Sequence, residues 1–276
     1  MRQVDRALVT FPERLKAQNI TNVNKAQLID HKKISGDVYR HQDVKDSLKE
    51  LYFEKCYICD CDVTGNFKVE HYLPKKHFPQ LGYTWDNLHK SCEGCNLAKE
   101  DNGFLVKDIK GTVIDINLLD PSNSTYKIAD YMRFNITATV ELVQIGNDPL
   151  IINKAKNTIK YLNGEYKNEY SKTLKYLRSD KANNFLRYYM TNLFKHKELI
   201  FTLRKLGIAN YIEPIDHIER DMHIDLCQGL INLDNIYLGE AAPFSTCTRV
   251  YMTDALRMTY PDLLALKEKM RITLGI

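Results

Sequence analysis

The chain has little that marks a membrane, secreted or fibrous protein. None of its apolar runs approaches the roughly 20 residues that a transmembrane helix needs, and its first residues, MRQVDRALVTFPERLKAQ, lack the apolar block of a signal peptide. It contains no internal repeat and no low-complexity tract. Hydrophobic residues make up 44% of the 276 and charged residues 27%, which are ordinary values for a globular protein. We therefore expect a soluble, cytoplasmic protein with no membrane partner.

The chain as a whole also has only a small excess of positive over negative charge. The net charge is +4, from 39 basic and 35 acidic residues, which by itself does not predict a polyanionic partner. The distribution is uneven, however, because residues 150–205 carry thirteen Lys and Arg against four Asp and Glu. Residues 206–276 carry six basic against ten acidic side chains. We expect the basic stretch to face nucleic acid and the acidic stretch to face protein.

The basic stretch is also rich in tyrosine, and this admits two interpretations. Tyrosines among lysines can stack on bases while the lysines contact phosphates. Alternatively, a helical layer keeps its tyrosines in the core and exposes a solvated lysine face. The tyrosines concerned are Tyr161, Tyr166, Tyr170, Tyr176, Tyr188 and Tyr189.

The seven cysteines are too few and too unevenly placed for a disulfide scaffold, which an intracellular chain seldom has. Four of them form two C-x-x-C pairs, CYIC and CEGC, with 32 residues between the pairs. Two such pairs supply the four thiolates of a closed tetrahedral zinc site, which is structural rather than catalytic. The alternatives are buried thiols or a redox-active pair. The predicted ligands are Cys56, Cys59, Cys92 and Cys95, whereas Cys61, Cys227 and Cys247 are left over.

Hydrophobic periodicity predicts an α+β fold that is mainly α-helical. In HQDVKDSLKELYFEKC, Val44, Leu48, Leu51 and Tyr52 recur at helical spacing, so a helix leads into the first cysteine pair. Between the pairs we expect strands at residues 67–71 and 83–88 and then a helix opening at residue 95. Residues 111–120 and 136–145 read as a possible strand pair, and helical patterns prevail from residue 149 onward.

Several spaced motifs together carry a family resemblance. The order C-x-x-C, Glu-His-x-x-Pro, Trp-Asp-Asn-Leu and C-x-x-C-Asn-x-x-Lys, over about residues 54–103, resembles the HNH endonuclease family. The resemblance implies a zinc-stapled ββα-metal core. From this resemblance together with the periodicity, we expect a helical N-terminal segment (1–55), the HNH core with its Cys₄ zinc site (56–110) and a large, mainly helical region for partners or nucleic acid (111–276).

The family's catalytic residues can be carried over by position. His71 would be the general base that deprotonates water, because an imidazole suits this role at neutral pH. Glu70 and Asn96 would hold one Mg²⁺ or Mn²⁺ through oxygen atoms. The chain departs from the family pattern at both, since the acid before the histidine is usually Asp and the helix residue is often His.

Three further residues receive positioning or substrate roles from the same motif. Asn87 would orient the imidazole of His71 through its backbone or its amide. Lys99, one helical turn beyond Asn96, would contact a substrate phosphate. His89 is a second candidate for substrate or metal contact, although a histidine at such a position is more often a satisfied core residue.

Among HNH proteins, the chain most resembles the nuclease component of bacterial Septu-type anti-phage systems. This narrower resemblance rests on the helix entering CYIC, the LLDP motif at residues 118–121 and the long helical tail. It implies an ABC-like ATPase partner (PtuA) and, for retron-linked systems, a reverse transcriptase with its RNA–DNA product. Two alternatives stay open: a non-catalytic zinc-containing nucleic-acid-binding adaptor, and cleavage of RNA such as tRNA rather than DNA.

Overall fold

The computed structural model describes residues 1–100, 102–143, 145–166 and 169–276, without the side chains of residues 100 and 102. Two positions of the predicted basic stretch, 167 and 168, thus lie outside the described residues. The described chain is mainly helical with three small two-stranded sheets, so the predicted fold class is confirmed at this level. Among the described helices, none has the length and apolar character needed to cross a bilayer.

The regular elements alternate short helices and strands before a helical second half. The helices are α1 (Asn22–Gln27), α2 (Gly36–Tyr39), α3 (Gln42–Tyr52), α4 (Glu93–Glu100), α5 (Pro149–Leu162), α6 (Glu169–Tyr188), α7 (Lys197–Leu206), α8 (His217–Leu233), α9 (Ser245–Leu256) and α10 (Tyr260–Leu274). The strands are β1 (Lys68–His71), β2 (Leu88–Ser91), β3 (Leu105–Lys107), β4 (Val113–Ile116), β5 (Met132–Phe134) and β6 (Val140–Leu142).

The helix predicted before the first cysteine pair is confirmed as α3. All four of its predicted apolar positions are buried, which the 3.6-residue period requires of a helix packed on one face. The helix ends at Tyr52, and its C-terminal cap, Phe53, has a φ of 50°, in the left-handed region that terminates helices. The chain therefore turns sharply just before Cys56.

Two strands joined by a loop lie between the cysteine pairs, and a helix begins within the second pair. β1 and β2 pair antiparallel, with Lys68 opposite Ser91 and His71 opposite Leu88. The second strand begins at Leu88 rather than at the predicted residue 83, because Trp85–Asn87 forms a 3₁₀ turn. The helix likewise begins at Glu93, two residues before the predicted start.

The strand pair predicted from residues 111–120 and 136–145 is wrong in its partners. In the described chain, β4 pairs with β3 and β6 pairs with β5. Each is a local hairpin closed by an Asx-type turn: the Asp108 carboxylate accepts from the Thr112 amide, and the Asn135 side chain accepts from the Thr137 amide. Each β-branched segment therefore pairs with its neighbour along the chain and not with the other β-branched segment, because closing a short loop costs less entropy than closing a long one.

Contacts divide the chain into two compact units. The first unit contains residues 1–133 and 140–175, and the second contains residues 134–139 and 176–276. The second unit has a helical core built from α6 to α10, in which Phe185, Leu230, Leu263 and Met270 are fully buried. The cysteine pairs and every residue carried over from the family motif belong to the first unit.

Candidate active site and metal centre

The four predicted cysteines converge on one buried cluster. Their sulfur atoms all lie within 4.8 Å of one another, and the Sγ atoms of Cys59 and Cys92 are 3.9 Å apart. Four thiolates around one zinc at about 2.3 Å would place the sulfurs about 3.8 Å apart. The cluster can therefore hold a zinc ion. Cys227 and Cys247 are buried elsewhere, in the second unit.

Two tyrosines of the basic stretch cover this cluster rather than face solvent. The Tyr161 hydroxyl donates to Cys95 Sγ at 3.3 Å, and the Tyr170 hydroxyl donates to Cys92 Sγ at 3.1 Å. The Tyr170 hydroxyl also lies 3.7 Å from Cys61 Sγ, at the edge of the cluster. Hydroxyl donors stabilise the negative charge that metal-binding thiolates carry. For these tyrosines the structure favours the core interpretation over base stacking.

The second cysteine pair requires a glycine at Gly94. A Cβ atom built there would lie 2.4 Å from the Tyr170 ring, far inside van der Waals contact. Glycine inside a helix ordinarily costs up to about 1 kcal/mol relative to alanine. Here the absent methyl lets the ring of Tyr170 lie against α4, beside the sulfur atoms.

His71 ends β1 and is held from two sides. Its Nε2 lies 3.0 Å from the backbone oxygen of Gly82, and its ring contacts Tyr39 edge-on with centroids 4.7 Å apart. A carbonyl can only accept, so Nε2 carries the proton of the neutral ring and the lone pair is on Nδ1. Burial lowers the pKa of His71 to about 4, and the positive charges of Lys75 and Lys99 act in the same direction. The imidazole is therefore neutral at pH 7.

Asn87 does not bond the imidazole directly but holds the loop that does. Its side-chain oxygen accepts from the Leu73 amide at 2.7 Å, and its nitrogen donates to the carbonyls of Leu73 and Leu81. Leu81 immediately precedes Gly82, whose carbonyl binds His71. The orientation of His71 thus depends on Asn87 through the loop backbone.

Glu70, Asn96 and Lys99 line the same cavity as His71. The Lys99 ammonium donates to Glu70 Oε1 and to the backbone oxygen of His71. The Lys99 side chain is only 2% exposed, whereas that of Glu70 is 15% exposed. Lys99 is therefore paired inside the site and does not extend into solvent as a phosphate contact would.

The cavity itself is strongly basic. Its volume is about 730 Å³, and the described residues that line it include six Lys or Arg side chains, three histidines and one carboxylate, Glu70. The basic residues come from the C-terminal cap of α2, from α3, β1 and α4, and from the loop after His71. They are Arg40, Lys45, Lys68, Lys75, Lys76 and Lys99.

His89 lies apart from this cavity. It is completely buried, and its Nδ1 lies 2.6 Å from the Tyr52 hydroxyl. Its Nε2 lies 3.5 Å from an Arg6 nitrogen, and burial lowers its pKa well below the ordinary value. Its position in β2, among aromatic rings, makes it a core histidine, which was the alternative to substrate contact.

Sequence reasoning missed the residues that join the cavity from outside the motif. Tyr39 packs on the His71 ring, and the Lys75 ammonium lies 3.3 Å from the Tyr39 hydroxyl. A partial signal for Lys75 and Lys76 was present, since the sequence YLPKKHFP follows the Glu-His pair directly. For Tyr39 and Arg40 the sequence contains no such signal, because α2 reaches the site only through tertiary packing.

The basic stretch contributes less exposed charge than its composition implied. Arg178 is fully buried in the second unit, where its Nε donates to the Ala138 carbonyl at 3.2 Å. Tyr176, by contrast, is 75% exposed. The prediction that residues 150–205 face nucleic acid therefore does not extend to Arg178.

Comparisons with known proteins relate part of the chain to Septu proteins named PtuB. An 83-residue stretch is 35% identical to the Septu protein PtuB of Bacillus thuringiensis, covering 29% of this chain and 31% of the relative. An 87-residue stretch is 29% identical to the Septu protein PtuB of Bacillus mycoides (strain KBAB4), covering 26% and 30%. The chain is thus similar to PtuB over about 85 residues.

A shorter match and two negative results complete the comparisons. A stretch of 56 residues is 32% identical to the protein ea31 of Escherichia phage lambda, covering 20% of this chain and 19% of ea31. No family model and no solved structure matches the chain. The chain spans about a third of the length of the PtuB relatives that it matches.

Proposed function

We propose that this protein is a metal-dependent HNH endonuclease that hydrolyses phosphodiester bonds in nucleic acid. The observation that carries the proposal is the neutral, backbone-oriented His71 beside the Glu70 carboxylate and the Asn96 amide, in a basic cavity of the Cys₄-bearing unit. The cysteine cluster would hold a structural zinc, which fixes the end of β2 and the start of α4. It would thereby fix Asn96, which follows Cys95 directly.

His71 is the general base in this mechanism. Its Nε2–H donates to the Gly82 carbonyl, so its Nδ1 lone pair takes the proton from the attacking water. Because the pKa of His71 is about 4, almost every molecule has this lone pair available at pH 7. Asn87 is a positioning residue, since it holds the loop backbone that aligns the ring.

Glu70 and Asn96 would hold one Mg²⁺ or Mn²⁺. Both side chains line the cavity, and carboxylate and amide oxygens are the donors that these hard cations prefer. The ammonium of Lys99 on the carboxylate of Glu70 indicates that a cation is stabilised at this position. When bound, the divalent ion supplies positive charge to the phosphate as negative charge develops.

Nucleic acid is the substrate class that fits the cavity. Among the described residues, five basic side chains other than the paired Lys99 line the cavity and concentrate positive charge where a phosphate backbone would bind. DNA is the first substrate of the proposal, and structured RNA such as tRNA is the second. The base identity would come from elsewhere, because phosphate contacts position a strand without reading its sequence.

A cleavage assay tests the proposal. The purified chain, alone and with its ATPase partner, is incubated with Mg²⁺ or Mn²⁺ and end-labelled single-stranded DNA, duplex DNA or tRNA. We expect products from at least one substrate, and none when EDTA is present. Binding without products under every condition would instead support the non-catalytic adaptor.

Removal of two cavity lysines is expected to weaken nucleic-acid binding and its salt dependence. For Lys45→Ala with Lys76→Ala, we expect the slope of log K against log salt to fall by up to about 2, since each lost phosphate contact removes about 0.9. Fluorescence anisotropy without added Mg²⁺ or Mn²⁺ measures this without cleavage. The matched control, Lys110→Ala with Lys127→Ala, removes the same charge outside the cavity and should leave the slope unchanged. An equal fall in both double variants would count against the cavity as the binding surface.

We further propose that the protein is an anti-phage defence component of the Septu type, controlled by an ABC-like ATPase (PtuA). The PtuB relatives support this proposal. A reverse transcriptase with its RNA–DNA product stays a prediction from the sequence.

In the second unit, a groove of about 710 Å³ between α7 and α8 is lined by apolar and acidic side chains, as a protein-binding surface would be. Ile215, which lines the groove, is 100% exposed, and Ile218, which is not among its lining residues, is 81% exposed.

The groove variants give a direct test of this docking surface. Ile215→Asp with Ile218→Asp should abolish co-purification with the ATPase, because two carboxylates replace the apolar contact. Ile109→Asp is the control, since Ile109 is equally exposed in the first unit and should not affect co-purification. Retention of the ATPase by the double variant would place the docking surface elsewhere.

A further inference from the structure

We propose that the ammonium of Lys99 occupies the cation position at Glu70, so that a divalent metal ion binds only by displacing it. The inference rests on the proposed function, because it concerns the same metal site. It assigns Lys99 a role other than substrate contact: a built-in competitor that lowers the affinity of the site for metal.

The geometry of the pair supports this assignment. Lys99 and Asn96 are three residues apart on α4, so they project from the same side of the helix. Both line the cavity with Glu70. The ammonium donates to a Glu70 carboxylate oxygen and to the His71 carbonyl. The metal ligand and the lysine therefore converge on one carboxylate.

The burial of the pair makes simultaneous occupation unfavourable. An ammonium within about 2.8 Å and a divalent ion within about 2.1 Å of the same carboxylate oxygen lie within about 5 Å of each other, and within about 7 Å if they bind its two oxygens. Lys99 is 2% exposed and Glu70 is 15% exposed, so solvent screens the repulsion between the two cations poorly. The carboxylate thus exchanges one cation for the other.

Competition between Lys99 and the metal ion, and a purely structural role for the Lys99–Glu70 ion pair, predict opposite effects of Lys99 substitution on the affinity for metal. If Lys99 only neutralised Glu70, its loss would leave the affinity for metal unchanged or lower it by disordering the site. If Lys99 competes, its loss strengthens metal binding. A buried carboxylate left without its ammonium also destabilises the metal-free fold, and bound metal restores the lost stability.

Mn²⁺ binding to the full chain, carrying His71→Ala to prevent turnover, provides the test. Free Mn²⁺ is quantified by electron paramagnetic resonance, and the Tm is measured with and without Mn²⁺ at constant zinc content. We expect Lys99→Met to lower the Kd for Mn²⁺ at least tenfold and to enlarge the rise in Tm that Mn²⁺ produces. Lys99→Gln keeps a donor for the His71 carbonyl and should act in the same direction if Lys99→Met folds poorly.

Three controls separate competition from other effects. Lys99→Arg keeps the charge and should keep the Kd near that of the parent. Lys68→Met removes a charge from the same cavity, where Lys68 lies 3.5 Å from Glu93, and should change the Kd by less than about threefold. Glu70→Gln should abolish binding in every background.

The possible outcomes distinguish this inference from the proposed function. Parent and Lys99→Met proteins that bind Mn²⁺ with equal Kd, or a weaker Kd in Lys99→Met, would overturn the inference and leave the metal site in place. Mn²⁺ binding by neither protein would overturn both. Tighter binding that Glu70→Gln does not remove would also overturn the inference, because the metal would then lie elsewhere.

Discussion

Replacement of His71 by alanine is expected to lower the cleavage rate by a factor of about 10² to 10⁴ without loss of zinc. A positioned general base contributes rate enhancement of this size. The backbone oxygen of His71 that binds Lys99 stays in place in the variant. The rate of product formation, the zinc content and the thermal unfolding curve are measured on the same preparation.

A second histidine of the same cavity provides the matched control. His77 also lines the cavity, but it is exposed and belongs to the loop beyond β1. His77→Ala should therefore cleave within a few-fold of the wild-type rate. Full activity of the His71→Ala protein would refute the assignment of the base, and equal losses in both variants would point to a general effect on the cavity.

Replacement of one cluster cysteine, for example Cys95→Ser, is expected to release the zinc ion that the cluster would hold and to unfold the segment from β1 to α4. Structural zinc sites contribute about 10 kcal/mol or more to folding in small domains, which equals the whole stability of many proteins. β1, β2 and α4 together are too short to bury a core that could compensate. Elemental analysis and limited proteolysis of the first unit provide the measurements.

A cysteine outside the cluster controls for thiol loss in general. Cys227 is buried in the second unit, so Cys227→Ser should retain about one zinc per chain and an intact first unit. Reducible dithiols without bound zinc in the wild-type protein would instead favour the redox alternative. A Cys95→Ser protein that kept its zinc would contradict the ligand assignment.

The local part of the candidate site could be predicted from the sequence. The spacing of the cysteine pairs predicted the cluster, and helical periodicity predicted the four buried positions of α3. Both signals depend on neighbours close in sequence or on fixed ligand chemistry. The positions of Glu70 and His71 at the end of a short strand followed from the same local pattern.

The remainder depends on contacts between distant segments. Tyr161 and Tyr170 donate to sulfur atoms 66 and 78 residues away, a relation that no local pattern encodes. The sequence predicts that the second strand begins at residue 83, whereas β2 begins at Leu88. Residues 85–87 form a 3₁₀ turn, in which Asn87 bonds the loop backbone at Leu73, and no pattern within the strand predicts that distant contact. The pairing of Lys99 with Glu70 likewise depends on how α4 packs on β1.

Sequencing the ends of all DNA and RNA after induced expression in cells tests the central claim most directly. Cells expressing the wild-type chain with the proposed ATPase partner are compared with cells expressing the His71→Ala chain with the same partner at equal protein level. The account predicts new nucleic-acid ends in the first culture, at positions that also reveal whether DNA or RNA is cut, and none in the second. The same new ends in both cultures, or none in either under phage challenge, would contradict it.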